Sequence, residues 1–440
     1  MATRFGYAVI LAISLAVCVK ASNDTSNDDP VATPNAFDGD IREHAKGLFD
    51  DGRRIFRNDT FGNERFWGDA LHLHHALLGS REVEGLTPRA LLELGLKLDA
   101  DALPAHLARD FKNGSVKSAD VSVTAALLKA NAIVGVVAVT DSNEMVTTVG
   151  LSCALCHSSV DDSIAAGIGQ RLDGWANRDL DVGWLISLAP NLQPLAQMLN
   201  VDEAQLKKVL RSWGAGCFDA VLDKDGKAFR PDGKRACTLV PPAFGMAGIN
   251  LHGWTGFGSV PYWSAYIAAT ELHGVGTFVD SRLNAVQFPS VAKGRSRVVS
   301  ARSDQLADKQ AALHYYQLSI PAPPPPADSY DGMAAVRGKA LFGGKARCGS
   351  CHVPPLFTEP GHNLHDPAEL GIDAFQADRS PTHSYRTTPL AGLWTHTSAG
   401  FYHDGRFTTL DEVIAHYDAH FRLGLEPAEK TDLVEYLKSL

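Results

Sequence analysis

One five-residue pattern, Cys-x-x-Cys-His, occurs twice in this chain of 440 residues and constrains it more than any other feature. Cysteines three positions apart lie on one side of a helical turn, so both thiols can bond one porphyrin while the next histidine reaches its iron. The pattern is typical of covalent haem c attachment. We therefore predict two covalently bound haem c groups. Their attachment residues are Cys153, Cys156, His157, Cys348, Cys351 and His352, and the proximal iron ligands are His157 and His352.

The alternatives for these cysteines are a zinc site or a thioredoxin-like redox pair. A structural zinc site gathers four ligands, and two motifs so far apart in the sequence do not offer them. The composition, with 45% hydrophobic and 21% charged residues, is that of an ordinary globular protein. It excludes a disordered chain, a collagen, a multi-span membrane protein and a small disulfide knot.

The first residues of the chain predict export. Residues 1–21 have the layout of a secretory signal peptide, with an early positive charge, a short apolar run and small residues near the cut. Residues 22–37 are polar and are expected to be flexible. We expect a periplasmic protein without a membrane span once the signal is removed. A retained N-terminal anchor and a lipoprotein acylated at Cys18 stay open as alternatives.

The periodicity of apolar residues predicts a mainly α protein with two cytochrome c-like haem domains, long loops and a few short strands. A hairpin is expected where residues 133–140 and 146–149 flank a polar turn, just before the first motif. A Pro-rich linker at 319–328 separates a first haem region, 38–318, from a C-terminal cytochrome c domain, 329–440. Helices are expected on either side of the second motif, at 331–342 and 427–440.

The methionine count bears on the distal iron ligands, which decide the chemistry of a haem. The chain has five methionines and none follows the second motif. The second haem therefore needs another distal group. The residues downstream that can serve are His396, His403, His416, Tyr417 and His420. For the first haem the choices are His252, His273 and Met246, the upstream cluster of His72, His74 and His75, or no ligand at all.

Two segments after the second motif carry a family resemblance. Residues 385–393 read YRTTPLAGL, and residues 400–414 read GFYHDGRFTTLDEVI. Together they resemble the bacterial di-haem cytochrome c peroxidase superfamily, which includes the di-haem enzyme that matures methylamine dehydrogenase. The resemblance implies that Tyr417 replaces the methionine ligand of the peroxidases, with His416 as its rival. It also implies that His403 lies near the haem.

Other residues have predicted supporting roles. Arg171, Trp175 and Arg178 follow the first motif and are expected either at the surface or against haem propionates. An aromatic stretch is expected to pack in the core, on a porphyrin or between the haems; it contains Trp254, Tyr262, Trp263 and Tyr266. Cys217 and Cys237 are expected to form a disulfide in an oxidising compartment, with two free thiols as the alternative.

Two functions fit these features. The first is electron transfer between periplasmic redox partner proteins by two haems. The second is a di-haem peroxidase, or a related oxidoreductase, that reduces hydrogen peroxide at an open haem; the sequence leaves open whether the chain is an enzyme. A haem-based sensor would need an output domain, which the sequence does not suggest. The net charge of −9 gives no reason to expect nucleic-acid binding.

Overall fold

The computed structural model describes residues 36–116, 119–283, 286–289, 298–396 and 398–440. The predicted signal peptide and nearly all of the predicted flexible N-terminus lie outside the described residues. Residues 36–44 belong to one unit, and the described residues of Ala45–Leu440 form a second. None of the helices in the described part of the chain is long and apolar enough to cross a membrane.

Helices dominate the fold, as the periodicity predicted. Two π-helical turns, Arg65–Ala70 and Ile267–Glu271, accompany them, together with 3-10 turns at Ala307–Lys309, Cys348–Ser350, Ala377–Arg379 and Leu393–Thr395. The α-helices are α1 (Ala36–Asn58), α2 (Leu73–Leu78), α3 (Pro88–Glu93), α4 (Ala105–Lys112), α5 (Val121–Lys129), α6 (Ala154–His157), α7 (Val182–Ser187), α8 (Gln193–Leu199), α9 (Glu203–Trp213), α10 (Leu222–Asp225), α11 (Val260–Tyr266), α12 (Gln310–Ser319), α13 (Gly332–Gly343), α14 (Leu410–Phe421) and α15 (Pro427–Lys438).

The described strands are short and pair only two at a time. They are β1 (Leu98–Asp99), β2 (Val136–Thr140), β3 (Val146–Leu151), β4 (Ser158–Val160), β5 (Ile168–Gly169), β6 (Arg171–Asp173), β7 (Cys217–Phe218) and β8 (Thr238–Leu239). β1 pairs with β5 in parallel; β2–β3, β4–β6 and β7–β8 are antiparallel. The prediction of a mainly α protein with a few short strands is confirmed.

The β2–β3 hairpin leads directly to the first motif, as the sequence predicted. Its turn is closed by Asp141, whose carboxylate accepts the backbone N–H groups of Asn143 and Met145. At the other end, the side chain of Asn63 bonds both the N–H and the carbonyl of Leu151. Asn63 is fully buried, so this pair of bonds fixes the strand end two residues before Cys153.

The C-terminal region has its own small core, built by α13, α14 and α15. α13 starts at Asp331, whose side chain accepts two backbone N–H groups of the first turn. α14 starts with a capping box of Thr409 and Glu412. α13 and α15 cross closely at Gly338, where an added Cβ would lie 2.0 Å from the carbonyl oxygen of Asp432. Both predicted flanking helices are therefore present, and they pack against each other.

The Pro-rich segment runs extended from the end of α12 and contacts both regions. The carbonyl of Pro323 accepts a hydrogen bond from the Trp394 indole at 2.9 Å. The carbonyl of Ile320 accepts one from the N–H of Gly245. The segment therefore straps the two regions together, while the domain boundaries proposed around it remain predictions.

Candidate functional site

The second motif holds its histidine in a defined orientation. A 3-10 turn carries Cys348, and the N–H of His352 bonds back to the carbonyl of Cys348 at 2.9 Å. The ring Nδ1 of His352 lies 3.0 Å from the carbonyl oxygen of Phe357. This bond places the ring proton on Nδ1, so the lone pair is on Nε2. Burial lowers the pKa of His352, so its imidazole is neutral at pH 7.

A cavity of about 370 Å³ opens beside Cys348, Cys351 and His352. Most of its wall is apolar, and the helices of the C-terminal core supply much of it. Apolar residues of this wall include Phe342, Leu390, Leu393, Ile414, Phe421, Leu433 and Leu437. The cavity thus combines two thiols, a neutral imidazole and an apolar lining, which are the features that a haem c site needs.

Three of the five downstream ligand choices line this cavity: His396, His403 and Tyr417. His416, one residue before Tyr417, instead turns its Nε2 to the carbonyl of Leu370 at 2.9 Å. His420 bonds the carbonyl of Glu369 in the same way. Of the neighbouring pair on α14, Tyr417 is therefore the one that faces the cavity.

The tyrosine and the two histidines of the cavity wall have different electrostatic surroundings. Burial raises the pKa of Tyr417, and its interaction with the Tyr402 hydroxyl partly offsets this. Burial, together with the nearby Arg178, lowers the pKa of His396. The buried His403 stacks on Tyr385 with ring centroids 4.9 Å apart, and burial lowers its pKa to about 4. Both histidines are thus neutral at pH 7.

Two arginines, the buried Arg178 and the half-buried Arg386, have buried donor atoms without a partner. Arg386 lines the cavity, and Arg178 donates to the Gly400 carbonyl at 2.8 Å. Within the described part of the chain, Nε of both side chains and one further nitrogen of Arg178 are buried without a hydrogen-bond partner. Burial lowers the pKa of each guanidinium to about 10, because no neighbouring carboxylate offsets the loss of solvation. An anionic group would satisfy these donors.

The first motif is held by contacts from the segments that precede and follow it. The N–H groups of Gly174 and Asn177 bond the carbonyls of His157 and Cys156, both at 2.8 Å. Gly135 also approaches closely, because an added Cβ would lie 2.1 Å from the backbone nitrogen of Leu155. Burial lowers the pKa of His157 to about 4, so this imidazole is neutral too.

The cysteines of neither motif resemble an activated redox pair. Burial raises the pKa of Cys153 and of Cys156 to about 12, and that of Cys348 to about 11. Thioredoxin-like cysteines have lowered pKa values, because the thiolate is the reactive form. This environment suits thiols that form thioethers better than thiols that exchange disulfides.

The choices for the distal side of the first haem have contacts of their own. His252 is buried, with its Nε2 3.0 Å from the carbonyl oxygen of Ile249, and burial lowers its pKa to about 4. His273 stacks on Phe66 with ring centroids 3.6 Å apart. Met246 packs in a small apolar cluster with Ala243 and Val260. The choice among them remains a prediction.

The structure places the predicted supporting residues in different surroundings. Arg171 pairs with Asp99 at 2.5 Å, whereas the Trp175 ring meets Trp394 edge to face at 5.3 Å. Trp254 lines the C-terminal cavity. The rest of the aromatic stretch, Tyr262, Trp263 and Tyr266, packs together as one ring cluster.

The Cys217–Cys237 disulfide is present, as predicted, with its Cα atoms 5.8 Å apart. The loop that it closes carries acidic partners that sequence reasoning missed. Asp219 and Asp225 of this loop bind the guanidinium of Arg379, and all three side chains are buried. Arg386 is the second residue of the YRTTPLAGL segment and Arg379 precedes that segment, but the surroundings of both arise from contacts across the fold that no local sequence pattern predicts.

Comparisons with known proteins do not assign this chain to a family. No protein-family model matches this chain, and no curated protein matches it. Among solved structures, a MauG-like protein associated with microbial copper homeostasis is 17% identical, with a TM-score of 0.33; the match covers 52% of this chain and 79% of that one. Hydrazine synthase of Kuenenia stuttgartiensis is 21% identical, with a TM-score of 0.29, over 46% of this chain and 72% of that one. At these TM-scores neither likeness supports an argument about this chain.

Proposed function

We propose that this protein is an exported, periplasmic di-haem c-type cytochrome that transfers electrons between redox partner proteins, related to the di-haem cytochrome c peroxidase superfamily. The proposal rests on the apolar cavity beside the second motif. There, the neutral imidazole of His352, with its lone pair on Nε2, lies beside the thiols of Cys348 and Cys351. A haem bound at each motif supplies a one-electron Fe(III)/Fe(II) couple.

The residues around the cavity divide the work of binding. Cys348 and Cys351 would form the thioethers, and His352 would offer Nε2 to the iron. The bond from His352 to the Phe357 carbonyl fixes the ring and increases its basicity. Arg386 would offer its unpaired Nε to a propionate. Tyr417 would supply a second protein ligand to the iron, and a phenolate there would favour the ferric state and lower the reduction potential.

Haem stoichiometry tests this foundation. The pyridine haemochrome spectrum is expected to report two haems c in the full chain. One haem is expected in Cys153→Ser/Cys156→Ser and one in Cys348→Ser/Cys351→Ser. The matched control is Cys217→Ala/Cys237→Ala, which removes two other cysteines and keeps both haems. A single haem in the unmodified protein would sink the proposal.

The neighbouring pair on α14 supplies a test of the distal ligand. Tyr417→Phe is expected to change the electron paramagnetic resonance signal of one ferric haem, whereas His416→Gln leaves it as it was. If the two variants behave in the opposite way, Tyr417 is not the ligand.

A second function, reduction of hydrogen peroxide, is favoured by His396. This neutral imidazole in the cavity wall could move a proton between the two peroxide oxygens, which peroxide cleavage requires. His396→Gln is then expected to lower peroxide turnover by about 10²–10⁴-fold while both haems stay bound. Absence of turnover in the unmodified protein excludes this function and leaves electron transfer.

A further inference from the structure

Three histidines, offered by the sequence as distal ligands of the first haem but given no role in the proposed function, lie together at the start of α2. The ring centroids of His74 and His75 are 4.2 Å apart, those of His72 and His75 are 5.4 Å apart, and those of His72 and His74 are 6.4 Å apart. All three side chains are half-buried. Neither haem motif is part of this group.

The fold brings the three rings together. Leu73, Ala76 and Leu77 are buried on one face of α2 and anchor the helix in the largest apolar core. His72 precedes the helix with φ +58°, in the left-handed region that residues other than glycine rarely adopt. This conformation turns His72 back toward His75, three residues on, and the N–H of His75 bonds the His72 carbonyl.

Three adjacent imidazoles are unfavourable when protonated, because their positive charges repel one another. Burial lowers the pKa of His74, and the charges of His75 and His72 lower it further. The ring therefore keeps a nitrogen lone pair at neutral pH. Nδ1 of His74 is buried and has no hydrogen-bond partner within the described part of the chain. A buried polar atom without a partner destabilises the fold unless something binds it.

We propose that His72, His74 and His75 form a binding site for one divalent transition-metal ion of the Zn²⁺ type, separate from both haems. Neutral imidazole nitrogens are preferred ligands of such ions, at about 2.0–2.1 Å. Three imidazoles around one tetrahedral ion place their ring centroids roughly 5 Å apart, which is close to the three distances above. The carboxylate of Asp69 acts on His74 electrostatically and is exposed, so it can supply a fourth ligand.

Binding requires the rings to turn. Among the described residues, the trio whose ligand atoms already lie within 4.8 Å of one another is Cys351, Glu359 and His365, at the haem cavity. The ligand atoms of His72, His74 and His75 do not all lie within this distance, so the side chains must rotate to share one ion. Because they are half-buried, rotation of their side chains needs no opening of the core.

Zn²⁺ binding to the purified haem-loaded protein tests the site. Equilibrium dialysis with elemental analysis is expected to give one tightly bound Zn²⁺ per chain. His72→Gln and His75→Gln are each expected to weaken binding by about 100-fold, since even partners outside the ligand set contribute roughly 10–100-fold. His106→Gln, which alters an exposed histidine elsewhere in the first region, is the matched control and keeps the affinity.

Haem content is measured on the same samples, so that failure of this site and failure of the haem proposal remain distinguishable. Unchanged Zn²⁺ affinity in both His72→Gln and His75→Gln, or no tight Zn²⁺ binding by the unmodified protein, overturns the inference. A loss of affinity in His106→Gln as large as in His75→Gln overturns it as well, because it would show nonspecific binding to surface histidines.

Discussion

The two Cys-x-x-Cys-His motifs are chemically alike, but the chain supports them in different ways. The second is framed by α13, α14 and α15, which lie within the same 329–440 segment. The first is held by the β2–β3 hairpin and by single contacts from loops: the side chain of Asn63 bonds Leu151 at the end of β3, Gly135 packs against Leu155, and the N–H of Asn177 bonds the carbonyl of Cys156. One motif is therefore framed by packed helices, and the other by single contacts from a hairpin and loops.

The two regions are nevertheless joined through charge. The segment 217–237, here called the disulfide loop, belongs to the first region but supplies Asp219 and Asp225 to Arg379 of the C-terminal region. Arg230 of the same loop bonds Asp373 at 2.8 Å. The C-terminal region thus completes its buried ion pairs with residues from the other region.

The largest effect is expected from Arg379→Ala. This change leaves two buried carboxylates without their cation and is expected to lower the free energy of unfolding by about 3–5 kcal/mol. Denaturant unfolding measures it. The matched control is Arg337→Ala, which breaks an exposed Arg–Asp pair with a 57% exposed arginine and should have little effect on stability. Equal costs for the two variants would contradict the idea that the regions depend on this buried joint.

A somewhat smaller loss of unfolding free energy is expected when the disulfide is removed. The cross-link closes a loop with a sequence separation of 20, so Cys217→Ala/Cys237→Ala is expected to cost about 3 kcal/mol. Because the loop holds the partners of Arg379, combining this variant with Arg379→Ala should cost less than the sum of the two. Strict additivity in the unfolding free energies would show that the loop and Arg379 act independently.

The difference between local sequence patterns and contacts across the fold explains how much of the structure could be predicted from the sequence. The hairpin, the helices around the second motif and the disulfide follow from local patterns or residue counts, and the structure confirms them. The pairing of Asp219 with Arg379 joins residues 160 apart in the chain, and periodicity carries no information on such contacts. The choice of Tyr417 as the group facing the cavity also depends on how α14 meets the Leu370 carbonyl, which the sequence does not specify.

Two glycines test the scaffolds of the two motifs directly. Ala at Gly338 would strike the Asp432 carbonyl in the α13–α15 crossing, and Ala at Gly135 would strike Leu155 inside the first motif. Each change is expected to cost about 1–3 kcal/mol, and Gly135→Ala adds roughly 1 kcal/mol because its φ of +77° disfavours a side chain. Chemical denaturation and the haem content of each variant measure these effects.

Gly343→Ala provides the control for both glycine variants. It adds a methyl group in the same helix, α13, where nothing lies within 4 Å of the new Cβ. The variant should be neutral or gain up to about 1 kcal/mol. If Gly135→Ala retains full haem occupancy at the first motif and full stability, the close approach of residue 135 is not needed to hold that motif.

The smallest effect is expected from Asp373→Asn, and it should depend on pH. Burial alone would raise the pKa of Asp373, but hydrogen bonds from Arg230 and Arg406 outweigh it and hold the pKa well below its usual range. A lowered folded-state pKa stabilises the protein above the unfolded pKa of about 3.9, and this contribution disappears as the pH falls through the folded value. Because Asp373 is partly exposed, the variant should cost about 1 kcal/mol at pH 7 and progressively less below pH ~4. Urea midpoints at pH 7, 5 and 3 measure the difference; a cost that grows as the pH falls would mean that the charge of Asp373 does not bind the disulfide loop to the C-terminal region.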